Sequence, residues 1–475
     1  MNSKKLFLLL LLTVFFLTTC SKTEIQLLDR NTIDLFTNEI SGERAKEYVT
    51  EISKYNRTEG AYEDTGYEEA VNYVTSLLKH AGIDEVNLLL YQPDGFKKYE
   101  TWLSHPGSRV HKAKLYLKQP YKSKWCDYAE TAICLMPYSN GKGMEEGDVV
   151  YVGKGSSDPD YEGKDVKGKI VFADRGSAVT VMRHAVIKRG ALGILLGFSG
   201  NKRKAKFTDL VELNRIYITG EEIKTSKWGF SLSKEQTDSL KYLLAQPDKV
   251  IMRAEVEAET FLGNMPVISA AIKGSKYPDQ EIIFMAHLDH YKPGANDNAS
   301  GSAGLMEIAI RLTNMINKDI LPRPLRTIRF LWVPGWEGTV AFLENSKEIA
   351  KKGVIGVNMD MIGEDLDKCK THLFVTSTPL SRPSFLNSLV KHYLKIVEKS
   401  NIKEVGGSNT KVKYEIIGYF GESDHMLFND AKVGVPSTMF VHLTDRFWHT
   451  SYDTPDKVDP AELKRTMLLG LLVGR

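Results

Sequence analysis

Three hydrophobic runs, each ending in a residue able to bind metal, constrain the fold of this chain most strongly. Ile282–Ala286 leads straight into His287, with Asp289 two residues on and Asp297 ten residues after the histidine, inside a GANDNASG turn. Arg326–Val333 (RTIRFLWV) leads into PGWEG and Glu337, and Val354–Met359 (VIGVNM) leads into Asp360. Between the first two runs, Ala303, Met306, Ala309, Ile310 and Thr313 recur at helical spacing. Strand–helix alternation of this kind predicts an α/β fold with a mixed, mostly parallel sheet flanked by helices. Ligands of such sheets sit outside the carboxyl ends of the strands. His287, Glu337 and Asp360 all fall there.

The chemistry follows from the residue types. An imidazole and a carboxylate just past a buried strand suit a hard-to-borderline metal such as zinc. Asp289 is close enough in sequence to accept a hydrogen bond from the other ring nitrogen of His287. Near the end of the chain, Phe447–Pro460 (FWHTSYDTPDKVDP) supplies His449. Two histidines and three carboxylates in this order suit two metal ions bridged by one carboxylate, about 3.5–4 Å apart. Taken singly, none is diagnostic. An Asp after a strand is usually a turn or a helix cap, and a lone His more often packs than ligates.

Taken together, HLD, GANDNASG, NMDMIG, SDH (Ser423–His425) and HTSYDTPD resemble the co-catalytic zinc aminopeptidase family. Its relatives include leucyl aminopeptidases, glutamate carboxypeptidases and glutaminyl cyclases. The resemblance covers roughly the whole mature chain. It implies two zinc ions, one also being compatible, and a zinc exopeptidase fold. Asp297 would bridge the ions, His287 and Asp360 would complete one site, and His449 with a glutamate the other. Asp289 would orient His287, and the SDH segment would lie near the substrate. The implied activity is that of an exopeptidase, most simply an aminopeptidase, hydrolysing extracytoplasmic peptides through metal-activated water.

In one place the chain departs from the family pattern. Where the family has Glu-Glu, a general base followed by a zinc ligand, this chain has Trp336-Glu337. Counted without gaps from Phe330, Glu337 takes the ligand position and Trp336 replaces the base. Counted back from Gly338, both glutamates are lost. The ungapped register is preferred, because a strand fixes the count more rigidly than a glycine turn. Candidate catalytic residues are therefore Asp289 and Glu337, and candidate ligands His287, Asp297, Glu337, Asp360 and His449. Glu364 and Glu422 are further carboxylates able to act as base, and Trp336 and Trp448 are candidates to line a specificity pocket. Two rival functions stay open: a lipid-anchored binding protein that has lost the base, and an acyltransferase of the glutaminyl cyclase type.

At 475 residues and 42% hydrophobic, the chain is long enough for two domains. Lys4-Lys5, the apolar run Leu6–Leu17 and Thr18-Thr19-Cys20 form a signal segment too short to span a bilayer. LTTC resembles a bacterial lipobox, which implies cleavage before Cys20 and a lipid anchor on its sulfur in the cell envelope. The formal charge of +3 falls to +1 without the two signal lysines, and gives no reason to expect nucleic acid as a partner. Cys126 and Cys134 are close enough in sequence to form a disulfide in an oxidising compartment, although spacing alone does not decide this.

The expected organisation is a signal over residues 1–19, a first peptidase segment over 20–118, an insert over 119–255 and the main segment over 256–475. The insert resembles a protease-associated domain and would shape or cover the cleft. A chain lacking it would then keep its metal and change its substrate preference.

Overall fold

The computed structural model describes residues 27–64, 66–400, 402–408 and 411–475, so the signal segment and Cys20 lie outside the described residues. In chain order the strands begin with β1 (Glu85–Tyr91), β2 (Lys98–Tyr99), β3 (Trp102–Leu103), β4 (Gly107–Gln119), β5 (Ser123–Asp127) and β6 (Gly141–Tyr151). Next come β7 (Ile170–Ala173), β8 (Gly193–Leu196), β9 (Trp228–Ser231), β10 (Ile251–Phe261), β11 (Met265–Ile272) and β12 (Tyr277–His287). The last are β13 (Arg326–Val333), β14 (Gly353–Asp360), β15 (His372–Thr376), β16 (Tyr414–Ile417) and β17 (Ser437–Leu443). They make an eight-stranded sheet, β1-β11-β13-β12-β14-β17-β15-β16, a seven-stranded sheet, β5-β4-β10-β6-β7-β8-β9, and the small β2-β3 pair. Residues 40–475 form one compact unit, and Arg30–Glu39, before it in the chain, is a helix.

The first sheet is the expected one. Its central strands β13, β12, β14 and β17 are parallel, while β11 runs antiparallel to both β1 and β13, and β15, parallel to β16, runs antiparallel to β17. The three apolar runs become strands because both of their faces are covered. Alternate residues serve opposite faces. Ile283, Met285, Leu331 and Val333 pack with Phe342, from the helix Gly335–Asn345, and with Phe428. On the other face Phe284 stacks on Phe330 at 5.4 Å, and Trp332 donates its indole N–H to the Ser302 carbonyl at 3.0 Å. Full burial of each such side chain contributes about 1.5–3 kcal/mol. Gly301, the first residue of the helix Gly301–Asn317, permits a close approach here, since a Cβ would stand 2.1 Å from the Met359 carbonyl oxygen.

Strand register places the chemistry. Met285 pairs with Asn358 across β12 and β14, so His287 and Asp360, two residues further on in parallel strands, emerge side by side. Before β1 the chain forms the helices Gly42–Ile52, burying Ala45, Val49 and Ile52, and Tyr67–His80, burying Ala70, Val71, Val74 and Leu78.

The second sheet reaches beyond the expected insert limits of 119 and 255. It begins at Gly107 and ends at Phe261, because β4 and β10 pair antiparallel along their whole length. Leu115, Leu117, Met252, Ala254 and Val256 give it a core shared with Trp228 and Phe230. Between β7 and β8 a short α-helix, Ala178–Met182, runs into a π-turn, Arg183–Ile187.

Candidate metal centre

The centre is assembled on the loop that follows β12. Arg57 pins this loop from the N-terminal segment. Its buried guanidinium donates to the carbonyls of Leu288 (2.6 Å) and Gly294 (3.0 Å), and its backbone pairs in both directions with His290 (2.9 and 3.0 Å). Burial lowers the Arg57 pKa to about 10, with nearby carboxylates opposing it, so the side chain stays charged at neutral pH. Gly294 then turns the chain with φ +55°, where a Cβ would lie 2.4 Å from His290 Nδ1. In the next turn the backbone N–H groups of Asn296 and Asp297 donate to the Asp453 carboxylate at 2.8 and 3.0 Å. Asn298 ties the turn to β14, donating to the Met359 carbonyl and accepting from Met361 N.

Asp297 is thereby presented with its two oxygens facing different histidines. Oδ1 lies 3.0 Å from His287 Nε2, and Oδ2 lies 2.9 Å from His449 Nε2 and 3.5 Å from His290 Nε2. Asp360 Oδ1 stands 3.6 Å from His287 Nε2. Two groups able to hold a metal ion share the Asp297 carboxylate: His287, Asp297 and Asp360, and His290, Asp297 and His449. Ligands about 2.0–2.2 Å from a tetrahedral zinc lie roughly 3.3–3.6 Å from one another, which matches the looser separations here. Asp360 Oδ1 and His290 Nε2 are buried with no hydrogen-bond partner among the described residues. A buried polar atom left without a partner is costly unless something binds it, so the donor set fits a metal.

Ionisation agrees with that fit. Burial disfavours charge on Asp297, but His290, His287 and His449 outweigh it and hold the carboxyl well below the ordinary range. Burial, with the Arg215 guanidinium next in effect, pushes His449 down to about 3, leaving a neutral ring able to coordinate. His287 goes the other way. Burial opposes its charged form, yet Asp360, Asp289 and Asp297 raise its pKa well above the usual value. Its Nδ1 faces the Asp289 carbonyl at 3.0 Å and the Asp289 carboxylate at 3.3 Å, so Asp289 acts on the ring through backbone and side chain together.

Glu337 lines the same pocket but belongs to neither group. It is the third residue of the helix Gly335–Asn345, and its carboxylate accepts from Trp102 Nε1 (3.2 Å), from the His105 backbone N–H (3.0 Å) and from the His105 ring. Starting the helix at Gly335, directly behind β13, aims the side chain at the β3–β4 segment instead of at Asp297. Trp336 meets Trp102 edge-on at 5.9 Å, and Trp448 stacks on His449 at 4.0 Å; both line a pocket of about 660 Å³ that contains the centre. Ser423 donates to Asp360 Oδ2 at 2.6 Å, and Asp424 accepts from Thr339 at 2.6 Å. Glu422 lines the pocket, whereas Glu364 is buried beside His442 at 3.0 Å, outside the pocket lining.

Three lining residues carry no signal in the sequence. Glu59, two residues past Arg57, projects into the pocket; burial, then Glu337 and Asp289, raise its pKa well above the carboxylate range. Arg215 and Tyr217 come from the segment between β8 and β9. That segment also clamps the His449 loop: Leu213 N donates to the His449 carbonyl (2.8 Å), Ser451 N to the Val211 carbonyl (2.9 Å) and Val211 N to Ser451 Oγ (3.1 Å). The segment between β8 and β9, part of the span expected to shape or cover the cleft, therefore lines the pocket and holds the His449 loop.

Comparison with known proteins agrees with the architecture. The model of Peptidase family M28 matches residues 267–472. An aminopeptidase of Pseudomonas aeruginosa is 26% identical over 339 residues, covering 66% of this chain and 56% of that protein. The chain thus spans little more than half the length of this curated relative. Among solved structures, a Peptidase M28 precursor from Shewanella amazonensis superposes with a TM-score of 0.67 at 16% identity, over 94% of this chain and 95% of the other. A zinc aminopeptidase from Bacillus subtilis gives 0.64 at 16% identity, over 91% and 94%. These two likenesses establish the fold. The stretch that carries the shared-carboxylate centre, residues 267–472, is the part of the chain that the model of Peptidase family M28 matches.

Proposed function

We propose that this chain is a zinc-dependent exopeptidase, an aminopeptidase that hydrolyses peptides outside the cytoplasm through metal-activated water. The observation that carries the reading is the single Asp297 carboxylate shared between two ligand groups at the C-terminal edge of a parallel sheet. The aminopeptidase relatives support the same activity. His287, Asp297 and Asp360 would hold one ion, and Asp297 and His449 belong to the second site. Zinc, when bound, supplies a Lewis acid and lowers the pKa of water towards 7.

The chain's own groups do the rest. Asp289 fixes His287 with Nε2 towards the centre. Glu337 is held by three donors, whereas Glu59, among the described residues, accepts only from Tyr138, at 3.4 Å. Glu59, which lines the same pocket, is therefore the carboxylate with capacity to take the water's proton. Asp289 and Glu337 supply countercharge for a peptide's free amine, and Trp102, Trp336 and Phe420 give apolar surface for a side chain.

The test is a panel of aminoacyl chromogenic substrates with free and acetylated amines. Cleavage of the free series alone is expected; equal cleavage of both, or of neither, contradicts the proposal. The LTTC sequence extends it to a lipid-anchored protein of the bacterial cell envelope, held through Cys20. No helix among the described residues is long and apolar enough to cross a membrane. Cys20→Ser is expected to move the protein out of the membrane fraction, and continued sedimentation with membranes would show another anchor.

A further inference from the structure

The geometry points to His290 as the third protein ligand of the second metal ion, in the place the family fills with a glutamate. The inference rests on the metal-centre reading above, and it reassigns the residue that completes that centre.

His290 is 4% exposed, and its two ring nitrogens have separate fates. Nδ1 lies 2.7 Å from the Tyr291 carbonyl oxygen, which can only accept, so Nδ1 carries the proton. Nε2 is left with a lone pair. It is buried, has no hydrogen-bond partner among the described residues, and lies 3.5 Å from Asp297 Oδ2. On the other side of that oxygen is His449 Nε2 at 2.9 Å, and the two imidazole rings stand 5.7 Å apart, tilted by 36°. A carbonyl fixing the far nitrogen while the near one faces an anionic oxygen and a second imidazole is the arrangement of a metal-bound histidine.

Two backbone features hold the ring in place. Arg57 pairs with the His290 backbone in both directions, and Gly294 leaves the space beside Nδ1 that any side chain there would fill. Glu337 is engaged elsewhere, with Trp102 and His105 taking its oxygens. The second site is thus two imidazoles and the shared carboxylate, with a position left open for water or substrate. Replacing a carboxylate by a neutral imidazole lowers the negative charge on that ion and favours borderline cations such as zinc or cobalt over magnesium.

Zinc per chain, measured by atomic emission after chelation and equilibrium dialysis of the full chain against zinc, decides the matter without reference to turnover. Wild type is expected to load two ions, His290→Ala one, and Glu337→Gln two. His290→Glu, which restores a ligand, is expected to recover the second ion and so separates ligation from folding. The inference is overturned if wild type loads a single ion, if His290→Ala keeps both, or if Glu337→Gln drops to one. An inactive protein that loads two ions and loses one on His290→Ala would leave the ligand assignment intact and refute only the peptidase reading.

Discussion

Asp297 is the residue on which both halves of the centre depend, because its oxygens face His287 and His449 separately. That arrangement was legible in the chain: His287, Asp289 and Asp297 lie within one short stretch, and local spacing restricts where they can point. Glu59 was not legible. It lies more than two hundred residues earlier, and long-range contacts, the Arg57 clamp on the His290 loop among them, bring its segment to the pocket. Its role is open to a direct check. Glu59→Gln keeps size and hydrogen-bonding capacity but removes the basic carboxylate, so kcat should fall by about 10²–10⁴ while zinc content stays unchanged. An unaltered kcat would move the proton to another acceptor. Glu337 was the least determinate site residue in the sequence, since one residue of register separates a ligand from a bystander. The helix that starts at Gly335 decided its direction.

Among the elements, the parallel strands could be read directly, because buried runs such as Ile282–Ala286 and Val354–Met359 are too short and too apolar for amphipathic helices. The seven-stranded sheet could not be bounded in the same way. β4 and β10 alternate polar and apolar residues, and their mutual pairing, which draws the limits out to 107 and 261, is long-range and invisible locally. The same holds for the strip Val211–Leu213 against the His449 loop. His449 has a left-handed backbone, φ 54°, a conformation that costs a non-glycine residue about 1–3 kcal/mol and persists only where neighbours enforce it. Leu213→Pro removes the N–H that donates to the His449 carbonyl. It should weaken binding of the second zinc while the His287–Asp360 site still fills, as isothermal titration would show; equal affinity at both sites in the variant would mean that the clamp contributes nothing.

On the scale of the molecule, the centre joins three stretches distant in sequence: the N-terminal segment with Arg57 and Glu59, the segment between β8 and β9 with Arg215 and Tyr217, and the edge of the first sheet with the ligands. Loading metal should therefore stabilise all three together, by about 2.7 kcal/mol when free zinc is 100 times its dissociation constant. The most direct measurement is zinc reconstitution of activity. The chain is stripped with a chelator, zinc is titrated back, and release of the amino-terminal residue from an unblocked peptide is followed in wild type and in Asp297→Ala. Activity should vanish on stripping, return with zinc until the sites are filled, and never return in Asp297→Ala. Hydrolysis that survives chelation, or that zinc restores equally in Asp297→Ala, would contradict a metal centre built on that shared carboxylate.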